Sequence, residues 1–184
     1  MAYHATRSGD VKQAIPLWLK AAANSRQSSS NIEARTHLEI GLELLDEHPE
    51  LEDIDAWKLR YQAMLGQVWW AVRGYASPEA GEAYQLAREL CRQVNLPELT
   101  APVLLGVWML FIVGGKHRMC RSVSDELMEA VAYSDDANAN CAALYSVALS
   151  RFATGGDLED ARDVLIRCIA AGNPDPEDRS MIAE

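Results

Sequence analysis

The chain has 184 residues and a formal net charge of −10, from 17 Lys+Arg against 27 Asp+Glu. That length predicts one domain with a sizeable core. The acidity argues against nucleic acid and anionic membrane surfaces as partners, since both require clustered Lys and Arg.

In chain order, helical segments follow one another between turn signals. A stub from Ala2 to Arg7 precedes Gly9-Asp10. The next segment carries Pro16, where a kink is expected because proline lacks the N–H and its ring clashes with the preceding turn. Beyond Ser28-Ser29-Ser30-Asn31, Leu38, Leu42 and Leu45 mark one helical stripe, and Pro49 closes that segment. A tryptophan-rich segment runs on to Gly74. Ser77-Pro78 then reads as an N-cap followed by proline in the first helical position, and Leu86, Leu90 and Val94 form the next stripe. After Asn95 to Pro97 comes a helix from Ala101 to Val113. Its apolar run, Val103 to Val113, is eleven residues long. A membrane span needs about 20, so a buried helix is predicted. Lys116 to Ala132 follows Gly114-Gly115, and two further segments lie on either side of Gly155-Gly156-Asp157. Asp10 and Asp157 are placed to cap the helices they precede, and the glycine pairs to end the helices before them. Period-2 alternation is absent, so the fold class is all-α with about nine helices.

Self-similarity organises these helices. Gly9, Ala14, Trp18 and Ala21 stand at offsets 0, 5, 9 and 12, as do Gly115, Cys120, Ser124 and Leu127, and Gly156, Ala161, Leu165 and Cys168. A glycine turns the chain, and a small residue five positions on admits close helix packing. Residues further on continue the buried stripe. With Tyr145, Ala148, Leu149 and Phe152 on the preceding helix, the last copy resembles a tetratricopeptide (TPR) repeat. Leu149 and Cys168 depart from its usual small residues. The spacing of 41 residues from Gly115 to Gly156 exceeds the usual ~34, so the repeats are degenerate. The segments Ala14–Ala22, Ser30–Ala34, Gly41–Leu45, Gly74–Glu79 and Ala87–Cys91 resemble the TPR-like region of bacterial class III adenylate/guanylate cyclase–ATPase proteins and of large LuxR-type ATPase regulators. The resemblance implies an α-solenoid of antiparallel helix pairs over residues 9–173. The residues at the ends read as a truncated first-repeat helix over 1–8 and, from Asp175-Pro176-Glu177-Asp178, a polar tail or the start of an interrupted helix over 174–184.

Functionally, the resemblance implies a non-catalytic scaffold or sensor module for protein–protein recognition in signalling. The catalytic domains of that family have no counterpart in this chain, which contains no phosphate-loop motif. With Gly115 as the register anchor, the groove side of the preceding helix carries Leu105, Met109 and Ile112. These are apolar, unlike the Lys/Asn/Arg set of TPR domains that bind chaperone tails. Trp70 and Tyr75 complete the expected partner-binding residues. Of the adjacent Trp69 and Trp70, one should face the core and the other a groove or partner, since neighbours on a helix cannot share a face. The rival expectation is a small-molecule sensor with an apolar pocket between Trp70, Tyr75 and Met109. A third is a fragment of a cyclase-like ATPase regulator.

No catalytic residue, cofactor or metal ligand is expected. His117 and Cys120 have i, i+3 spacing, but a closed zinc site takes four ligands and no second pair stands near. The acidic stretch Asp46 to Asp55 lacks the order and central glycine of a calcium loop, and reads as a solvated linker. The cysteines at 91, 120, 141 and 168 have no C-x-x-C spacing and read as buried cytosolic thiols. The N-terminus has no secretory pattern, so the expected location is cytoplasmic. The incomplete repeats at either end predict self-association or a protein partner, through an end or through Val103–Val113.

Overall fold

The computed structural model describes residues 2–156 and 158–172. Among them the chain is all-helical. Nine helices follow in order: α1 (Ala2–Arg7), α2 (Val11–Gln27), α3 (Asn31–Glu47), α4 (Ile54–Arg73), α5 (Pro78–Cys91), α6 (Pro97–Val113), α7 (His117–Val131), α8 (Ala137–Ala153) and α9 (Leu158–Gly172). They divide into two compact units, one ending at Leu99 and the other beginning at Thr100. The boundary falls inside α6. The segment 174–184 and the cap expected of Asp157 lie outside the described residues.

The helix starts follow local chemistry. Asp10 accepts from the Gln13 N–H at 3.1 Å, and Ser77 from the Ala80 N–H at 3.2 Å with Pro78 in the first turn. Asp136 accepts from the Asn138 and Ala139 N–H groups. Each satisfies backbone donors that the helix itself leaves over. Gly115 and Gly155 take the left-handed backbone at the expected turns, with φ of 71° and 74°. α2 runs unbroken through Pro16, and α6 through Pro102. Both prolines lie on exposed faces, where the ring projects into solvent.

The first unit is a ladder in which α1 packs on α2, α2 on α3, α3 on α4 and α4 on α5, with α2 touching α4 along one edge. The same device recurs between rungs. Gly41 of α3 leaves room for the Tyr61 ring of α4, and Gly66 of α4 for the Tyr84 ring of α5. A Cβ on Gly66 would stand 2.6 Å from Tyr84 Cε2. Both tyrosines are fully buried, and burial pushes their hydroxyls well above the ordinary phenol value. The Tyr61 hydroxyl donates to the Ile15 carbonyl at 2.6 Å and so ties α4 to α2. Trp18 donates through Nε1 to Thr6 Oγ1 at 3.0 Å, which holds α1 down.

One predicted stripe is corrected. α5 buries Ala80, Ala83, Tyr84 and Ala87 and leaves Leu86 exposed. The close approach at Gly66 turns the small-residue face of α5 inward. Leu90 is half-buried, and Val94 lies beyond the end of the helix.

In the second unit α7 packs on α8 and α8 on α9. Trp108 of α6 is fully buried and donates to Ser150 Oγ of α8 at 2.8 Å, and Ser150 shares a 2.9 Å hydrogen bond with Ser124 of α7. Three helices therefore meet at a small polar chain inside an apolar interior, with each member partnered. The small residues of the repeat, Ala14, Cys120 and Ala161, are all buried. At the next offset Trp18 and Ser124 are buried and Leu165 is half-buried.

Candidate functional site: a groove between alternate helices

α2 and α4 are alternate rungs of the ladder, and α3 packs behind both. Their front faces diverge and leave an open cleft of about 740 Å³. Each helix contributes one stripe at helical spacing. Pro16, Leu19, Lys20 and Ala23 come from α2, and Ala56, Trp57, Arg60 and Met64 from α4. The α5–α6 connection closes one side with Val94, Asn95 and Leu96, and Asp53 stands at the start of α4. The core stripe of α2 is Ala14, Ile15, Trp18 and Ala22, so the helix has two adjacent working faces. The buried hydrogen bond from Tyr61 to Ile15 lies between these helices and fixes the width of the cleft.

The lining is mainly apolar, with charge at defined points. Arg60 reaches Glu98 at 3.4 Å. Lys20 is exposed and forms no ion pair among the described residues. Asp53 adopts a left-handed backbone with φ of 56°, and its carboxylate makes no capping hydrogen bond. Trp57 is half-buried and packs against the core of the unit. Such a surface suits an apolar side chain set between polar contacts. It brings together no nucleophile–base pair.

The expected partner-binding residues lie elsewhere. Trp70 sits between Tyr75 and Tyr84, with ring centroids 4.9 and 4.8 Å away. Its Nε1 is buried without a hydrogen-bond partner, and Tyr75 is 48% exposed. Trp69 instead packs against the core with the Arg35 guanidinium 5.3 Å above its ring. The two tryptophans thus separate, but neither lines the groove. Leu105, Met109 and Ile112 are half-buried along one stripe of α6 in the second unit. The structure therefore brings Trp70 and Tyr75 together within the first unit, and sets Leu105, Met109 and Ile112 on one helix of the other. Met109, grouped with Trp70 and Tyr75 in the expected sensor pocket, belongs to the second unit.

The remaining candidates have structural surroundings. Cys120 is fully buried, and burial raises its thiol above the ordinary value. His117 stands at the start of α7. Among the described residues no group of three or more His, Cys, Asp or Glu is placed to hold a metal ion. In the acidic linker Asp46 pairs with Lys58 at 2.6 Å, and Glu50 with His48 at 3.1 Å. The Glu50 carboxyl is held below its ordinary value by a backbone N–H and by His48. Two cysteines depart from the expected thiols: Cys141 and Cys168 are bonded to each other. No helix among the described residues is long and apolar enough to cross a membrane.

No family model matches the chain, and no solved structure matches it. An uncharacterized protein of Rhizobium meliloti (strain 1021) is 33% identical over 111 residues, which is 59% of this chain and 11% of that protein. The chain thus spans about a tenth of the length of the curated relative it matches.

Proposed function

We propose that the chain is a non-catalytic, protein-binding helical-repeat module, cytoplasmic, serving as a scaffold or sensor region in bacterial signalling. The groove between α2 and α4 carries this reading. It is open to solvent, walled by two mainly apolar stripes, and marked by Lys20, Arg60 and Asp53. An open groove of this kind suits an extended segment or an amphipathic helix of a partner protein. Trp57 is the expected anchor, because large aromatic side chains at the centre of an interface contribute disproportionately to binding. The resemblance to the TPR-like region of cyclase–ATPase proteins and LuxR-type regulators supports a signalling context. Neither a nucleic acid nor a membrane is the proposed partner.

The test is selection of a displayed random peptide library on the full chain, with counter-selection on Trp57→Ala and Met64→Asp. Enriched peptides should bind the parent and lose at least about 2 kcal/mol on Trp57→Ala. Peptides that bind all three proteins equally, or no enrichment at all, would refute the groove as the binding site.

A further inference from the structure

α8 and α9 form an antiparallel hairpin tied at both ends. Next to the turn, Arg151 of α8 meets Asp160 of α9 at 2.6 Å. Toward the open end, Cys141 of α8 and Cys168 of α9 are joined sulfur to sulfur, with their Cα atoms 4.7 Å apart. That separation falls within the ~4.4–6.8 Å that a disulfide spans. Between the ties α9 buries only modest side chains, Ala161 and Val164, with Leu165 half-buried. At ~1.5 Å per residue, Cys168 sits roughly 15 Å along α9 from its start at Leu158. Local opening begins at helix ends, and Cys168 lies in the last turns of α9, so the sulfur bond restrains opening there.

The two sulfurs differ in access. Cys141 is half-buried and Cys168 is buried, so a small reagent meets Cys141 first. Cys120, in the same unit, is fully buried with its thiol pushed up by burial, and makes a poor competitor.

We infer that Cys141 and Cys168 form a reversible redox staple that locks α9 onto α8 under oxidising conditions and releases its end under reducing ones. A low-molecular-weight disulfide of the glutathione type is the oxidant. The Cys141 thiolate attacks one of its sulfurs, forming a mixed disulfide and expelling one thiolate. The Cys168 thiolate then attacks Cys141 Sγ and expels the second. The two protons lost by the cysteines end on the two released thiols. The cysteine pair gives up two electrons and the reagent takes them. Excess small thiol attacking Cys141 Sγ runs the sequence backward. In a reducing cytoplasm the pair rests open and closes on oxidative challenge.

The test equilibrates the full chain in a graded series of reduced and oxidised glutathione, followed by acid quenching, alkylation and mass mapping. All four cysteines should be alkylated at the reducing limit. At the oxidising limit Cys141 and Cys168 should drop out together, with a midpoint inside the series. Limited proteolysis within α9 should be several-fold slower for the oxidised form, and Cys141→Ser and Cys168→Ser should lose that dependence. Should Cys168→Ser fail to fold, Cys141→Ser, at the more exposed position, carries the test. Alkylation of both cysteines throughout the series would overturn the inference. So would a bond that excess thiol never opens, or equal cleavage of α9 in both states.

Discussion

Alanine at three helical glycines should give opposite signs from one chemical change. Replacing glycine by alanine inside a helix gains about 0.8–1.0 kcal/mol from reduced backbone freedom in the unfolded chain. At Gly81 of α5 a Cβ would meet nothing within 4 Å, so that gain should appear almost whole. At Gly66 the new Cβ would stand 2.6 Å from the Tyr84 ring, whose neighbours Trp70 and Gly66 leave it little room to retreat. At Gly41 it would collide with two atoms of the Tyr61 ring and with its hydroxyl oxygen, which is pinned by the hydrogen bond to Ile15. Overpacking a core costs about 1–3 kcal/mol, and the aromatic rings put both sites at the upper part of that range. The net expectation is a loss of about 2 kcal/mol at Gly41, about 1–2 at Gly66, and a gain of about 0.5–1 at Gly81. Urea unfolding followed by tryptophan fluorescence reads this directly, because Trp18, Trp57, Trp69 and Trp70 all lie in the first unit. With a slope of about 2 kcal/mol per molar urea, the midpoint should fall by about 1 M for Gly41→Ala and rise by a few tenths for Gly81→Ala. If all three variants shift the midpoint the same way, the glycine–tyrosine contacts are not what sets the helix spacing.

Three further outcomes follow from the same geometry. Ser150→Ala removes the acceptor of the Trp108 indole and the partner of Ser124, so the second unit should lose about 1–3 kcal/mol in chemical denaturation, and a neutral result would contradict the buried polar chain. Burial raises the Cys120 thiol, so at pH values above about 9 the unfolded chain sheds a proton that the folded chain keeps; stability should decline as pH climbs through that region, less so in Cys120→Ala, and equal pH profiles would count against the burial. Val113, Phe152 and Leu158 are exposed apolar side chains of the second unit, so light scattering over a concentration series should reveal self-association; a clean 20.3 kDa monomer at high concentration would rule it out.

The helices were legible because their boundaries are set locally. Gly9-Asp10, Ser77-Pro78 and Gly155 act on the few residues beside them, and each does in the structure what its chemistry predicts. Faces were harder to read. Leu86 looks like a core residue by hydropathy, yet it is exposed, because what orients α5 is the pairing of Gly66 with Tyr84, a contact between different helices. No window along one helix contains that information. Ser124 and Ser150 carried the same difficulty in reverse. Serines in a repeat read as departures from an apolar pattern, and only the meeting of α6, α7 and α8 makes them partners. For the groove, Trp57 was visible as one of five tryptophans, but Leu19, Lys20, Arg60 and Met64 carry no motif. The Cys141–Cys168 pair was hidden because 27 residues of sequence separate two side chains that an antiparallel hairpin brings together.

The groove and the core stripes are consequences of one arrangement. Stacking consecutive helices so that each packs on its neighbours leaves alternate helices in edge contact only, as α2 and α4 are. That cleft exists whatever side chains line it, because α3 fills the space behind and not in front. The residues that set its width, Gly41, Tyr61 and Ile15, are different from those that line it, Leu19, Lys20, Trp57, Arg60 and Met64. Width and lining can therefore change independently. A substitution at Tyr61 should alter stability and every ligand alike, whereas one at the exposed Lys20 should alter only which segment is held. The division also explains why repeat signatures, which are made of spacing residues, report the fold of such a chain and stay silent about its partner.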